Sequence, residues 1–322
     1  MQEAIILKKI FFNILLFSLL FIIVFLSSFG FAFLKNLDSK DFAKDDISLG
    51  IQNNDIDDSV INIALFGLDN RDSQKNGRSD SIMVASFDRK HNKLKLISLM
   101  RDSYVEIDNH DSDKLNHAYA LGGPSLAIKT INQNFGLNIR DYVSVNFTDL
   151  AYIINNLGGI EINIKNYEVT EFNKYIDDVQ AVTGLKSNHI EAAGVQTLDG
   201  VQAVAYARIR YVGNGDYERT ERQRNVLSAI FNKAKSLSIP KFTSLASDNL
   251  NYIETSLSAT DTISLGTKVI TSGINTVEQE RFPTNQNSKG EMIDNIWYLT
   301  FDKDKTKEQI LNYLNEDIKP VQ

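Results

Sequence analysis

Between Ile10 and Leu34 the chain runs 25 residues without a charge, interrupted only by Asn13, Ser18, Ser27, Ser28 and Gly30. About 20 apolar residues suffice to cross ~30 Å of hydrocarbon, and inside a bilayer such a segment must satisfy its own backbone polar groups as a helix. The pattern therefore predicts a transmembrane helix over 10–34. Lys8 and Lys9 precede it and an acidic stretch follows Lys35, so the positive-inside bias places residues 1–9 in the cytoplasm and the rest outside. A cleaved signal peptide is the alternative, because Gly30-Phe31-Ala32 has small-x-small spacing, but the apolar core is longer than the usual ~7–15 residues. Residues 35–58 carry seven Asp and three Lys and read as an extracellular tether. The folded body then spans 59–322.

Within that body, Val60–Leu65, Ser81–Phe87 and Lys93–Met100 have strand character, and the first two look buried on both faces. Pro124 opens a helical pattern that Gly136 ends. Tyr142–Phe147 reads as a strand, Thr148–Leu157 as a helix and Ile160–Ile164 as a strand. Residues 165–197 look irregular, a possible flap. Arg219–Lys235 is helical, and a last helix falls near Lys307–Asn315. Strands interleaved with helices predict an α/β fold with a mixed central sheet and helices on both faces. The absence of cysteine excludes disulfides, thiolate metal sites and cysteine nucleophiles, and the net charge of −7 argues against a nucleic-acid partner.

The most informative local feature is the placement of arginine. From Arg208 to Arg224 there are five Arg (208, 210, 219, 222, 224) and no Lys, although Lys dominates elsewhere. The planar guanidinium fork suits bidentate grip on phosphate or carboxylate, which a lysine cannot reproduce. Arg208 and Arg210 share a face if the backbone there is extended. Arg219 and Arg222 fall on one helical stripe with Val226 and Ile230. Cations at a helix start oppose its dipole, so an anion is expected among them; an Arg/Glu lattice with Asp216, Glu218 and Glu221 is the alternative. A second group lies at strand ends: Asp69 after the first strand, Arg78 and Asp80 at the start of the second, Arg101 and Asp102 after the third. Ligands collect outside strand ends in α/β sheets, and Asp69 with Asp80 could hold Mg2+ alongside substrate phosphate oxygens, or could simply cap their own turns. No Walker loop, dinucleotide fingerprint or nucleophile elbow is present.

Together these segments resemble the LytR-CpsA-Psr family of bacterial envelope proteins. The likeness rests on Gly67-Leu68-Asp69, Gly77-Arg78-Ser79-Asp80, Ser98-Leu99-Met100-Arg101-Asp102 and Lys114-Leu115-Asn116-His117-Ala118-Tyr119. It continues in Leu157-Gly158-Gly159, in the run from Gly194 to Gly200, in Arg208-Ile209-Arg210 and in the run from Asp216 to Gln223. Met100 stands where the family usually has proline, and His117 where it has a small residue. The resemblance implies a magnesium-dependent phosphotransferase of the cell membrane. It would move a glycopolymer such as teichoic acid or capsule from a polyprenyl-pyrophosphate carrier onto a muramic acid hydroxyl of peptidoglycan. Carried over by position, Asp69 and Asp80 bind the metal, Arg78, Arg101, Arg208, Arg210 and Gln223 grip the pyrophosphate, Arg219 and Arg222 flank it, and Asp102 serves as base or orients an arginine. An apolar tunnel would take the lipid. A polyprenyl-pyrophosphate phosphatase and a non-catalytic lipid-carrier binding or regulatory ectodomain are the competing functions.

Overall fold

A computed structural model describes residues 42–52, 55–69 and 77–322. The span expected at 10–34 lies outside the described residues, as do residues 35–41, 53 and 54 of the expected tether. Among the described residues no helix is long and apolar enough to cross a membrane.

The strands are β1 (Val60–Asp69), β2 (Arg78–Asp88), β3 (Lys93–Leu99), β4 (Tyr104–Val105), β5 (Asp113–Lys114), β6 (Asp141–Asn146), β7 (Ile160–Ile164), β8 (Gly194–Leu198), β9 (Glu254–Thr255), β10 (Val277–Phe282), β11 (Ser288–Ile293) and β12 (Ile296–Phe301). The helices are α1 (Leu115–Phe135), α2 (Phe147–Asn156), α3 (Val169–Thr183), α4 (Gly200–Arg208), α5 (Asp216–Lys235), α6 (Ile239–Asn249), α7 (Ala259–Thr271) and α8 (Lys303–Asn315). Six strands form a mixed sheet in the order β10-β3-β2-β1-β6-β9; β1 is antiparallel to β2 and parallel to β6. The end of β1, the start of β2 and the end of β3 consequently meet at one edge.

Side chains alternate across a strand, so the sheet has two chemically different faces. On one, Phe66, Val84 and Ile97 pack against Ile128 and Ile131 of α1 and Ile310 of α8. A second core joins β7 and β8 to α2, α3, α4 and α5 through residues such as Ile162, Phe172, Val204 and Val226. The opposite sheet face looks toward this second core. There β1 is only half buried at Ile61, Ile63, Leu65, Gly67 and Asp69. The apolar runs of β1 and β2 thus reflect one packed face and one face lining a cavity, rather than burial on both.

Two further expectations change. The stretch 165–197 holds α3 and β8, because Phe172, Ile176 and Val179 recur at helical spacing and bury completely. The described part of the expected tether is packed: Leu49 and Ile56 are buried, Phe42 meets Tyr142 at 5.2 Å, and Asn132 Nδ2 donates to the Leu49 carbonyl at 2.9 Å. Leu49 and Ile56 sit where the core can take them, whereas Ile47 stays exposed.

Candidate active site

Between the sheet and the second core lies a cavity of about 800 Å³. Leu65, Met83, Val143 and Val145 line it from the strands, and Phe147, Leu150, Val204, Val226 and Leu227 from the helices. Its polar end is built where the three strand ends meet. Asp69 reaches it by simple alternation from Leu65 and Gly67. Asp80 needs a bulge: Gly67 pairs with Ser81 but Leu68 pairs with Ser79, which leaves Asp80 as the extra residue. The bulge turns the Asp80 carboxylate into the cavity beside Ser81 and Met83, as bulges next to functional sites commonly do.

Arg101 follows β3 and donates from Nη1 to Asp80 Oδ1 at 2.6 Å. From the helical side come Arg208, Arg210, Arg219 and Gln223, all in the lining. Asp216, the first residue of α5, is the point on which three of these cations converge. Arg210 Nε lies 2.7 Å from its Oδ1, Arg101 Nε 3.3 Å and Arg219 Nη2 3.5 Å from its Oδ2. The Arg210 contact is an ion pair out of line for a hydrogen bond, since Oδ1 has no hydrogen-bond partner. Arg208 is held by Asp178 at 2.9 Å and lies over the rings of Phe147 and Tyr175 at 4.9 and 5.6 Å.

These acids do not satisfy the guanidinium groups. Nη1 of Arg208 and both Nε and Nη2 of Arg219 are buried donors with no hydrogen-bond acceptor. Buried polar groups are normally paired, so three such donors at one cavity mark a place for an acceptor-rich anion. The Arg219 guanidinium has its pKa lowered, first by burial and next by the neighbouring charge of Arg101. Arg219 is thus held desolvated beside like charge, and Asp216 and Asp80 offset only part of that.

Not every expected residue joins the group. Arg222 is buried away from the cavity, with Nε on Glu168 and Nη2 on Glu218, both at 2.7 Å, and Nη1 on the Ile209 carbonyl. Three residues along a helix fall about 60° short of a full turn, so Arg219 and Arg222 diverge, whereas Gln223, Val226 and Leu227 follow Arg219 into the cavity. The lattice anticipated as an alternative with Asp216, Glu218 and Glu221 is split: Asp216 pairs with Arg101, Arg210 and Arg219 at the cavity, Glu218 pairs with Arg222 on the other side of α5, and Glu221 meets Lys165 instead. Arg224 likewise leaves the site, donating to Ser98 Oγ at 2.7 Å. Arg208 closes a helix instead of sharing a strand with Arg210, because the apolar run Val201 to Tyr206 packs as α4. Arg78 is exposed, opposite Asp69 in register but outside the lining. Asp102 is buried behind Arg101, 3.5 Å from its Nε, and accepts from Lys114 Nζ at 2.7 Å. Burial raises its pKa, but Lys114 and Arg101 more than offset this and hold the carboxyl below the usual range. Lys114, which the chain offers only as part of a family motif, and Asp178, which no motif marks, complete the arrangement through Asp102 and Arg208.

Two carboxylates on adjacent strand ends, with room beside them for phosphate oxygens, fit the donor set magnesium prefers. Among the described residues no group of three or more His, Asp or Glu could hold a metal ion. Any ion at Asp69 and Asp80 would complete its shell from substrate and water.

The cavity joins apolar walls to a charged end, the two surfaces that an amphiphile with an anionic head would require. The LytR_cpsA_psr family model matches residues 24–315, and the chain belongs to that family. A polyisoprenyl-teichoic acid–peptidoglycan teichoic acid transferase TagU of Enterococcus faecalis is 33% identical over 261 residues, 79% of each chain. TagT of Bacillus subtilis, named for the same activity, is 35% identical over 63% of this chain and 62% of its own length. A solved structure of the family protein YwtF (TagT) with bound octaprenyl pyrophosphate lipid superposes with a TM-score of 0.61 at 26% identity, covering 85% of this chain and 97% of that one.

Proposed function

We propose that the protein transfers an anionic glycopolymer of the teichoic acid class from a polyprenyl-pyrophosphate carrier to a muramic acid hydroxyl of peptidoglycan, from a site held outside the membrane by a helix over 10–34. The observation that carries this reading is the union of an apolar cavity with buried, acceptor-less guanidinium donors at its mouth. The relatives' named activity and the bound lipid of the TagT structure support it.

In this reading the prenyl chain lies along Leu65, Val143, Leu150 and Val226, and its pyrophosphate meets Arg101, Arg208, Arg210, Arg219 and Gln223. The acceptor hydroxyl oxygen attacks the sugar-linked phosphorus, a new O–P bond forms, and prenyl phosphate leaves with the electrons of the bridging bond and takes up the hydroxyl proton on its freed oxygen. Such displacement asks the protein for positioning and charge neutralisation rather than covalent help. Asp216 keeps Arg101, Arg210 and Arg219 aimed at one point, which reduces the reorganisation needed when the head group arrives. Asp102, ionised and paired with Lys114, orients Arg101 rather than taking the acceptor's proton. Asp69 and Asp80 would hold magnesium, which when bound neutralises charge on the pyrophosphate oxygens.

The test supplies full-length protein in detergent with lipid-linked polymer, with and without peptidoglycan fragments and with and without a chelator. Polymer attached to peptidoglycan, and attachment lost on chelation and restored by Mg2+, is the expected result. Free polymer in both acceptor conditions would mark a phosphatase, and binding without turnover a carrier-binding ectodomain.

A further inference from the structure

One exposed aromatic cluster lies outside the cavity lining, and its polar members lead back to Arg101. Trp297, the chain's single tryptophan, sits on β12 with 45% of its surface open. Its indole lies against Gly290 of β11, where an added Cβ would stand 2.9 Å from Nε1 and 3.0 Å from Cζ2; only glycine lets the ring rest so close to the backbone. Lys114 Nζ lies 5.9 Å from the Trp297 ring centre and 5.8 Å from that of Tyr298. Tyr298 packs edge-on to Tyr104 and donates from its hydroxyl to Asp113 Oδ1 at 3.2 Å, while the other Asp113 oxygen meets His117 Nδ1. His117 and Asp113 are part-exposed.

A part-open indole with a lysine over it, next to a tyrosine that carries a carboxylate and a histidine, is chemistry that suits a sugar. The apolar C–H face of a pyranose stacks on the ring, and its hydroxyl and amide groups find donors and acceptors at the edge. One Lys114 proton goes to Asp102 and two stay free for a ligand, suiting the lactyl or peptide carboxylate that an acceptor glycan carries. The location also fits an acceptor: Lys114 binds Asp102, Asp102 flanks Arg101, and the Leu299 amide of β12 donates to the Asp102 carbonyl at 2.9 Å. We infer that Trp297, Lys114 and His117 form a saccharide platform that docks the acceptor glycan strand beside the phosphoryl-transfer site. This deepens the transferase reading and rests on it.

A lone tryptophan makes the test specific to this spot. Full-length protein in detergent is titrated with an N-acetylglucosamine–N-acetylmuramic acid tetrasaccharide while tryptophan emission is followed, and binding of polyprenyl pyrophosphate is measured separately. The expected result is a saturable emission change. In the transfer assay, Trp297→Ala should raise the acceptor concentration needed for half-maximal rate about tenfold, with donor binding and the rate at saturating acceptor retained and with Trp297→Phe recovering most of the loss. Flat emission with donor still bound would overturn the platform and leave the cavity reading standing. Emission that responds to sugar while the donor fails to bind would do the reverse to the cavity reading and support the platform. A response to anionic vesicles or to protein concentration, with none to the tetrasaccharide, would overturn the platform in favour of a membrane or self-association surface.

Discussion

Arg219 and Arg222 sit one turn apart on α5 and have opposite physical roles. Arg222 closes a buried ion pair with Glu168, itself fully buried, so Arg222→Ala would strand a carboxylate in the core. Thermal melts should show a loss of about 3–5 kcal/mol, the usual cost of breaking such a pair from one side. Arg219 instead faces like charge with two donors unpaired. Arg219→Met should leave the melting temperature unchanged or raise it, while transfer falls about 10²-fold, the typical loss on removing one preorganised donor. Asp102 gives a pH signature. Its folded pKa is lowered, so its stabilising contribution is present above the unfolded carboxylate value of about 3.9 and is lost as pH falls through the folded value. Urea midpoints measured from pH 7 downward should hold to about pH 5 and then decline, and Asp102→Asn should flatten part of that decline.

At the scale of elements, the second core depends on how closely helices approach. A Cβ at Gly200 would lie 2.0 Å from the Ala151 carbonyl oxygen, so α4 rests directly on the backbone of α2. Gly→Ala within a helix ordinarily gains up to about 1 kcal/mol. Here Gly200→Ala should destabilise by about 1–3 kcal/mol through overpacking, and a lowered melting temperature would distinguish the two signs. Because Val204, Ala207 and Arg208 of α4 line the cavity, the same substitution should also weaken donor binding in the fraction that stays folded. The β2 bulge is the corresponding device on the sheet side, for it alone turns Asp80 onto the face that Asp69 reaches by alternation.

For the molecule as a whole, the two cores are separated by the cavity, and its apolar walls are what would bind a lipid tail. Leu150→Trp fills part of that space from its apolar wall. Retention of a polyprenyl pyrophosphate should fall while binding of inorganic pyrophosphate persists; equal loss of both would place the lipid elsewhere. Residues 42–51 pack against the first core through Phe42, Leu49 and Ile51, so this stretch belongs to the domain.

Much of this was legible along the chain. Strand and helix periods are local, so β1, β2, β3, β6, β7 and α5 appear from spacing alone, and the preference for arginine over lysine marks the stretch from which Arg208, Arg210 and Arg219 reach the cavity. The three strand ends bearing Asp69, Asp80 and Arg101 could be expected at one edge because consecutive antiparallel strands put them there. What the chain could not show is everything that depends on helix rotation and on contacts between distant segments: that Arg219 and Gln223 turn inward while Arg222 turns to Glu168, that Arg208 ends a helix, that Asp216 gathers three guanidinium groups, and that Leu49 belongs to the core. Those outcomes depend on which neighbours exclude water from each side chain, and only the assembled layers of sheet and helix determine that.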